Sequence, residues 1–197
     1  MKISYPGLDY RQRSLLTLLI VVSFITRSGA YDRNHGPIPY LAHDSYRIHV
    51  DGAVPNPISL TVYELAHSFP QHAVTCALQC AGNRRHTMRT FLKEVDGIDW
   101  GDGAVMNCEW RGPRLRDVLS KAGVTNLKGR AGSHVAFSCY HTDTQNDSWY
   151  GGSILLERGL SEEAEVILAL EVSRRAAFLC SPFVVQHDKI IRLIKSR

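Results

Sequence analysis

Two arginines follow a cysteine across a turn of small residues, Cys80-Ala81-Gly82-Asn83-Arg84-Arg85. Upstream, Val74, Cys76, Leu78 and Cys80 recur at every second position. That period is a strand's, and the Gly-Asn pair is the turn that ends it. Cys80 therefore belongs where a strand opens into a loop, beside two cations that stay protonated. Nearby positive charge favours thiolate over thiol. A thiolate in that setting calls for a metal, an electrophile or an anionic substrate.

Three chemistries compete for it. A phosphatase-type nucleophile needs a Cys-x5-Arg phosphate cradle, but that position from Cys80 is His86, and the arginines fall early. An iron–sulfur or redox-dithiol site needs more cysteines close by. Cys76 and Cys80 are four apart, form no CxxC pair, and have no third or fourth ligand nearby. A single soft thiolate on a metal whose other ligands come from a cofactor needs one cysteine only. The arginines then hold an anionic, phosphate-bearing cofactor and an oxyanion substrate. On this reading Cys76 is a core residue of the strand face.

The elements around this stretch are those of an ordinary globular chain. There are 197 residues, 44% hydrophobic and 21% charged, enough for one domain, or one domain with an incomplete second, and a real core. The net charge of +4 is scattered, so nucleic acid is not the expected partner. Five irregularly spaced cysteines make neither a disulfide scaffold nor a zinc pattern, and a reducing compartment is the simpler assumption. Lys2, Arg11 and Arg13 precede the apolar run Leu15 to Ile25, which has roughly the shape of a signal peptide but is short for a membrane span; a buried segment is the alternative.

Pro37 and Pro39 hold Tyr31 to Tyr40 extended and present Arg33-Asn34-His35 from an irregular segment. Ser45 to Asp51 alternates as a half-buried strand. Val62, Leu65, Ala66 and Phe69 have helical spacing, stopped by Pro70. Glycines 97, 101 and 103 make a loop around Trp100, and Ala104 to Trp110 reads as a strand. Pro113 begins a helix with Leu115, Val118, Leu119 and Ala122 on one face and Gly123 as its stop. His134 to Tyr140 is a further strand. Thr142 to Ser148 is a polar loop, and Val166 to Leu170 is a buried strand. Helices and strands mix without strict alternation, so the class is α+β.

RNHGPIP at Arg33 to Pro39, LQCAGNRR at Leu78 to Arg85 and GIDWGDGAV at Gly97 to Val105, followed by HVAF, WYGGSI and SEEAEVILALEV, resemble the molybdopterin-binding domain of the sulfite oxidase family. The likeness covers about Ser23 to Val172. It implies a sulfite-oxidase-type fold of mixed sheets with short helices, and a molybdenum–molybdopterin cofactor. By this resemblance Cys80 is the protein ligand to molybdenum. Arg33 and Arg85 line the sulfite pocket, and Trp100 is one wall of it. Arg33, Asn34, His35 and Tyr150 contact the cofactor. The implied reaction is oxygen-atom transfer converting sulfite to sulfate, with oxygen or cytochrome c as electron acceptor. The implied compartment is the mitochondrial intermembrane space or the peroxisome, with no membrane and no nucleic-acid partner. Nitrate reductases share CAGNRR and RNH, so a nitrate reductase molybdenum domain is the neighbouring alternative, and an inactive remnant a third.

Two stretches depart from the family pattern. Residues 1–22 read as a divergent extension. From Ser173 a basic stretch replaces the family's glycine-bearing turn and its continuation. The expectation is thus a domain over 23–172 with a divergent tail over 173–197, incomplete at its C-terminus. Neither an immunoglobulin-like dimerisation domain, through which the family dimerises, nor a haem domain is expected in the chain.

Overall fold

The computed structural model describes residues 46–80, 82–92, 102–139, 150–173, 175–176 and 189–194. The chain divides into two compact units, one of residues 1–33 and 75–109, the other of residues 34–74 and 110–197.

The larger unit is built on a five-stranded sheet. Its strands are β1 (Arg47–Gly52), β2 (Ile58–Thr61), β5 (His134–Cys139), β6 (Tyr150–Leu155) and β9 (Lys189–Ile194), in the order β2-β1-β9-β5-β6. β1 and β2 pair antiparallel, with Ile48 opposite Leu60. β5 and β6 pair antiparallel from His134–Leu155 to Cys139–Tyr150. β9 lies between them, parallel to β1 and antiparallel to β5. It comes from the stretch that composition sets apart as a basic tail, yet Ile191 and Leu193 are buried, 3% and 2% exposed. Arg192, between them, turns outward and donates two 2.8 Å hydrogen bonds to the Asp51 carboxylate on β1. The alternation apolar-in, charged-out is what a central strand with one covered face requires.

Short helices cover that face. The first, α1 (Val62–His67), opens with a reciprocal cap: Thr61 Oγ1 accepts from the Glu64 N–H at 3.1 Å, and the Glu64 carboxylate accepts from the Thr61 N–H at 2.7 Å. Val62 and Leu65 point inward, as their spacing predicts. The helix predicted from Pro113 runs over Leu115–Lys121 instead. Pro113 is the last residue of β4 (Val105–Pro113), and Arg114 is the N-cap residue. The predicted stop is correct. Gly123 has φ +85°, its N–H donates to Ser120 O, and the Val124 N–H donates to Leu119 O. That pair of bonds is the Schellman motif, with Leu119 and Val124 both fully buried beside it. This helix is α3, because α2 (Arg85–Leu92) precedes it; α4 (Leu156–Leu160) follows β6. Leu65, Leu115, Val118, Leu119, Val135 and Leu156 form the centre of the core, all 0% exposed.

A four-stranded sheet has the order β3 (Gln71–Gln79), β4, β7 (Glu171–Val172), β8 (Arg175–Ala176). β4 pairs with β7 through Trp110–Val172 and Arg111–Glu171. The buried strand predicted at Val166 to Leu170 is not a ladder strand; it makes a single bridge, Arg114 to Ile167. Its backbone nonetheless follows the end of β4, with the Leu168 N–H donating to Pro113 O and the Leu170 N–H to Arg111 O. Pro113 has no N–H to return a bond, and the register slips by one residue between Arg111–Glu171 and Arg114–Ile167. Cys76 also departs from expectation. It is exposed rather than core, because β3 is the edge strand of its sheet.

Candidate active site at the Cys80 turn

β3 ends at Gln79, and Cys80 follows with its side chain half-buried. The next residues close on themselves through the backbone. The Asn83 N–H donates to Cys80 O at 2.9 Å, and the Arg85 N–H donates to Gly82 O at 3.2 Å. The turn is then fastened to the start of β4 at one residue. The Cys80 N–H donates to Ala104 O at 2.9 Å, and the Ala104 N–H donates to the Asn83 side-chain oxygen at 3.0 Å. Both backbone groups of Ala104 are thus committed to the turn. Arg84 takes the left-handed conformation, φ +63°, which lets the chain reverse into α2 at Arg85.

The chemistry gathers on Gly82, which is buried. Its N–H donates to Cys80 Sγ at 3.3 Å. A Cβ there would lie 3.0 Å from Arg85 Nη2 and 3.6 Å from Cys80 Sγ. The thiol and the guanidinium therefore flank the same glycine, each within 4 Å of one point. Arg84 goes the other way. Its side chain is 63% exposed, and its Nε lies 3.8 Å from Asp102 Oδ1. Of the two arginines, Arg85 accompanies the sulfur, and Arg84 makes a surface ion pair.

Of the other predicted site residues, Arg33, Asn34, His35 and Trp100 lie outside the described residues. Tyr150 is the first residue of β6, paired through its backbone with Cys139. The described residue that sequence reasoning passed over is Asn83. Its signal was its place in the Gly-Asn turn, but only the fold shows that its side chain reaches Ala104, 21 residues away. Among the described residues no cluster of three or more His, Cys, Asp or Glu side chains could hold a metal. A cavity of about 270 Å³ lined by Ala53, Gly129, Arg130 and Ser133 contains none of these site residues.

One sulfur donor, a guanidinium beside it and a backbone stripped of side chain between them suit a bulky anionic metal cofactor. The oxidoreductase molybdopterin binding domain matches residues 35–176. The chain belongs to this family. Its cofactor is a molybdenum-bound pterin, and its members are oxidoreductases. The mitochondrial sulfite oxidase of Rattus norvegicus is 43% identical over 157 residues, covering 79% of this chain and 28% of that protein. Sulfite oxidase of Arabidopsis thaliana is 38% identical over 163 residues, covering 78% and 40%. Nitrate reductase [NADH] 1 of Phaseolus vulgaris is 34% identical over 156 residues, covering 78% and 18%. The chain thus spans well under half the length of these relatives. The fold is also that of the sulfane dehydrogenase SoxCD of Paracoccus pantotrophus, with a TM-score of 0.59 at 23% identity over 85% of this chain and 43% of that one. The α+β architecture of mixed sheets and short helices agrees with this membership.

Proposed function

We propose that this domain holds molybdenum–molybdopterin through Cys80 and oxidises sulfite to sulfate. The observation that carries the reading is the shared position of Cys80 Sγ and the Arg85 guanidinium on the bare backbone of Gly82. The greater identity to sulfite oxidases than to the nitrate reductase supports sulfite over nitrate.

The bound cofactor supplies two-electron oxygen-atom transfer, in which sulfite and water become sulfate, two protons and two electrons. The protein does the rest. Cys80 gives a soft anionic ligand to the metal, held in direction by the Gly82 N–H. Arg85 presents a planar, permanently charged fork that fits an oxyanion. Arg33 is its proposed partner on the substrate and Trp100 the wall that limits the pocket. Asn34, His35 and Tyr150 are the proposed contacts to the pterin and its phosphate. The electrons leave to an acceptor, either oxygen or a cytochrome c. The names of the mammalian relatives support a mitochondrial location.

The test is expression of the full chain in a host that makes the cofactor. Molybdenum and pterin should co-purify at about one per chain, sulfite should reduce ferricyanide, and Cys80→Ser should abolish that turnover. Nitrate reduction from a reduced viologen without sulfite oxidation would move the reading to nitrate reductase. A chain that carries no molybdenum would be an inactive remnant.

A further inference from the structure

Beyond the Cys80 turn, the same pair of strands brings two other cysteines together. β3 and β4 are neighbours in their sheet, and each is nine residues long. The Cys80 N–H to Ala104 O bond joins the residue just after β3 to the residue just before β4. Between neighbouring strands, a bond joining the end of one to the start of the next fits an antiparallel pair, and extending it along the strands puts Gln79 opposite Val105. Counting back along the equal lengths of the two strands sets Gln71 opposite Pro113. In this register Cys76 stands opposite Cys108, with both side chains on one face. Opposed residues of an antiparallel pair have Cα atoms roughly 4.5–5.5 Å apart. A disulfide spans Cα separations of about 4.4–6.8 Å.

We propose that Cys76 and Cys108 are an oxidative modification site, closing as a reversible cross-strand disulfide between β3 and β4. The two thiols differ in access, which gives the reaction an order. Cys76 is exposed on the edge strand, and Cys108 is 2% exposed on the strand inside it. The thiolate of Cys76 attacks a small disulfide such as oxidised glutathione and releases one glutathione thiol. Cys108 then displaces the second glutathione thiol. The protein loses two electrons and two protons, and the oxidant is reduced to two thiols. Partial burial pushes the Cys76 thiol up, so the first step quickens as the pH rises. The crosslink sits on the ladder that ends at Cys80 and Ala104, and it fixes the two strand ends from which the candidate active-site turn springs.

The proposal is tested on the full chain equilibrated in glutathione buffers from reducing to oxidising, then alkylated and digested without reduction. In the oxidised sample, mass spectrometry should find the peptide containing Cys76 joined to the peptide containing Cys108, lighter by two hydrogens than the reduced pair. Because Cys76 and Cys80 share one tryptic peptide, two variants assign the link: it should persist in Cys80→Ser and vanish in Cys76→Ser. A link lost in Cys80→Ser and kept in Cys76→Ser overturns the proposal. So does wild-type protein whose Cys76 carries glutathione, or stays alkylatable, in the most oxidising buffer while Cys108 remains unlinked.

Discussion

Arg84 holds φ +63°, a conformation that costs an ordinary side chain free energy and a β-branched one more. Its ion pair with Asp102 is exposed, worth less than ~1 kcal/mol. Arg84→Gly should therefore leave stability within about 1 kcal/mol of wild type, whereas Arg84→Val should lower it by about 1–3 kcal/mol, read from urea midpoints. Gly82 makes a different prediction. Its Cβ would press on the Arg85 guanidinium at 3.0 Å and crowd Cys80 Sγ. Gly82→Ala should reduce bound molybdenum several-fold, measured on protein from a cofactor-making host, with the circular dichroism spectrum unchanged. The Gly-Asn pair was legible as a turn because those residues tolerate tight reversals. The choice of Arg85 over Arg84 came only from the family resemblance, because two adjacent arginines differ only in the direction the backbone gives them.

At the scale of elements, the helices with apolar periodicity were legible and those without it were not. Val62, Leu65, Ala66 and Phe69 marked α1, and Leu115, Val118, Leu119 and Ala122 marked α3. Arg85–Leu92 carries Met88 and Phe91 exposed, and its polar, basic run to Arg89 did not announce α2. β6, which begins Tyr-Gly-Gly, has weak strand propensity and forms because six residues pair in register with β5. Caps can be tested singly. Thr61→Ala removes one arm of the reciprocal cap at α1 and should cost about 1 kcal/mol, visible as a lower urea midpoint with unchanged slope.

At the scale of the molecule, β9 closes the larger sheet between β1 and β5, and Ile191 is 3% exposed. Ile191→Ala should destabilise the protein by about 2–5 kcal/mol, far more than the tail-like composition of the surrounding sequence suggests. On the outer side of that strand, the Arg192 guanidinium bonded to Asp51 holds its carboxyl below the ordinary value of 3.8. A depressed carboxyl stabilises the fold fully above its unfolded pKa, and that contribution is lost as the pH falls through the folded one. The Asp51 and Arg192 side chains are 32% and 49% exposed, so the gain is no more than about 1 kcal/mol. Asp51→Asn should show that deficit at neutral pH, and the gap to wild type should close in acid below the ordinary carboxyl value, followed by thermal unfolding across pH.

By itself the sequence determined the α+β class, the inward faces of α1 and α3, the stop at Gly123 and the strand end that carries Cys80. These are local properties, written in periodicity and in residues with restricted or permissive backbones. The tertiary structure decided what depends on partners distant in the chain. It paired Ala104 with the Cys80 turn through Asn83 and made Cys76 an edge residue rather than core. It also drew a basic C-terminal segment into the middle of a sheet. A strand's place is set by the neighbours that satisfy its N–H and C=O groups, and no single segment encodes who those neighbours are.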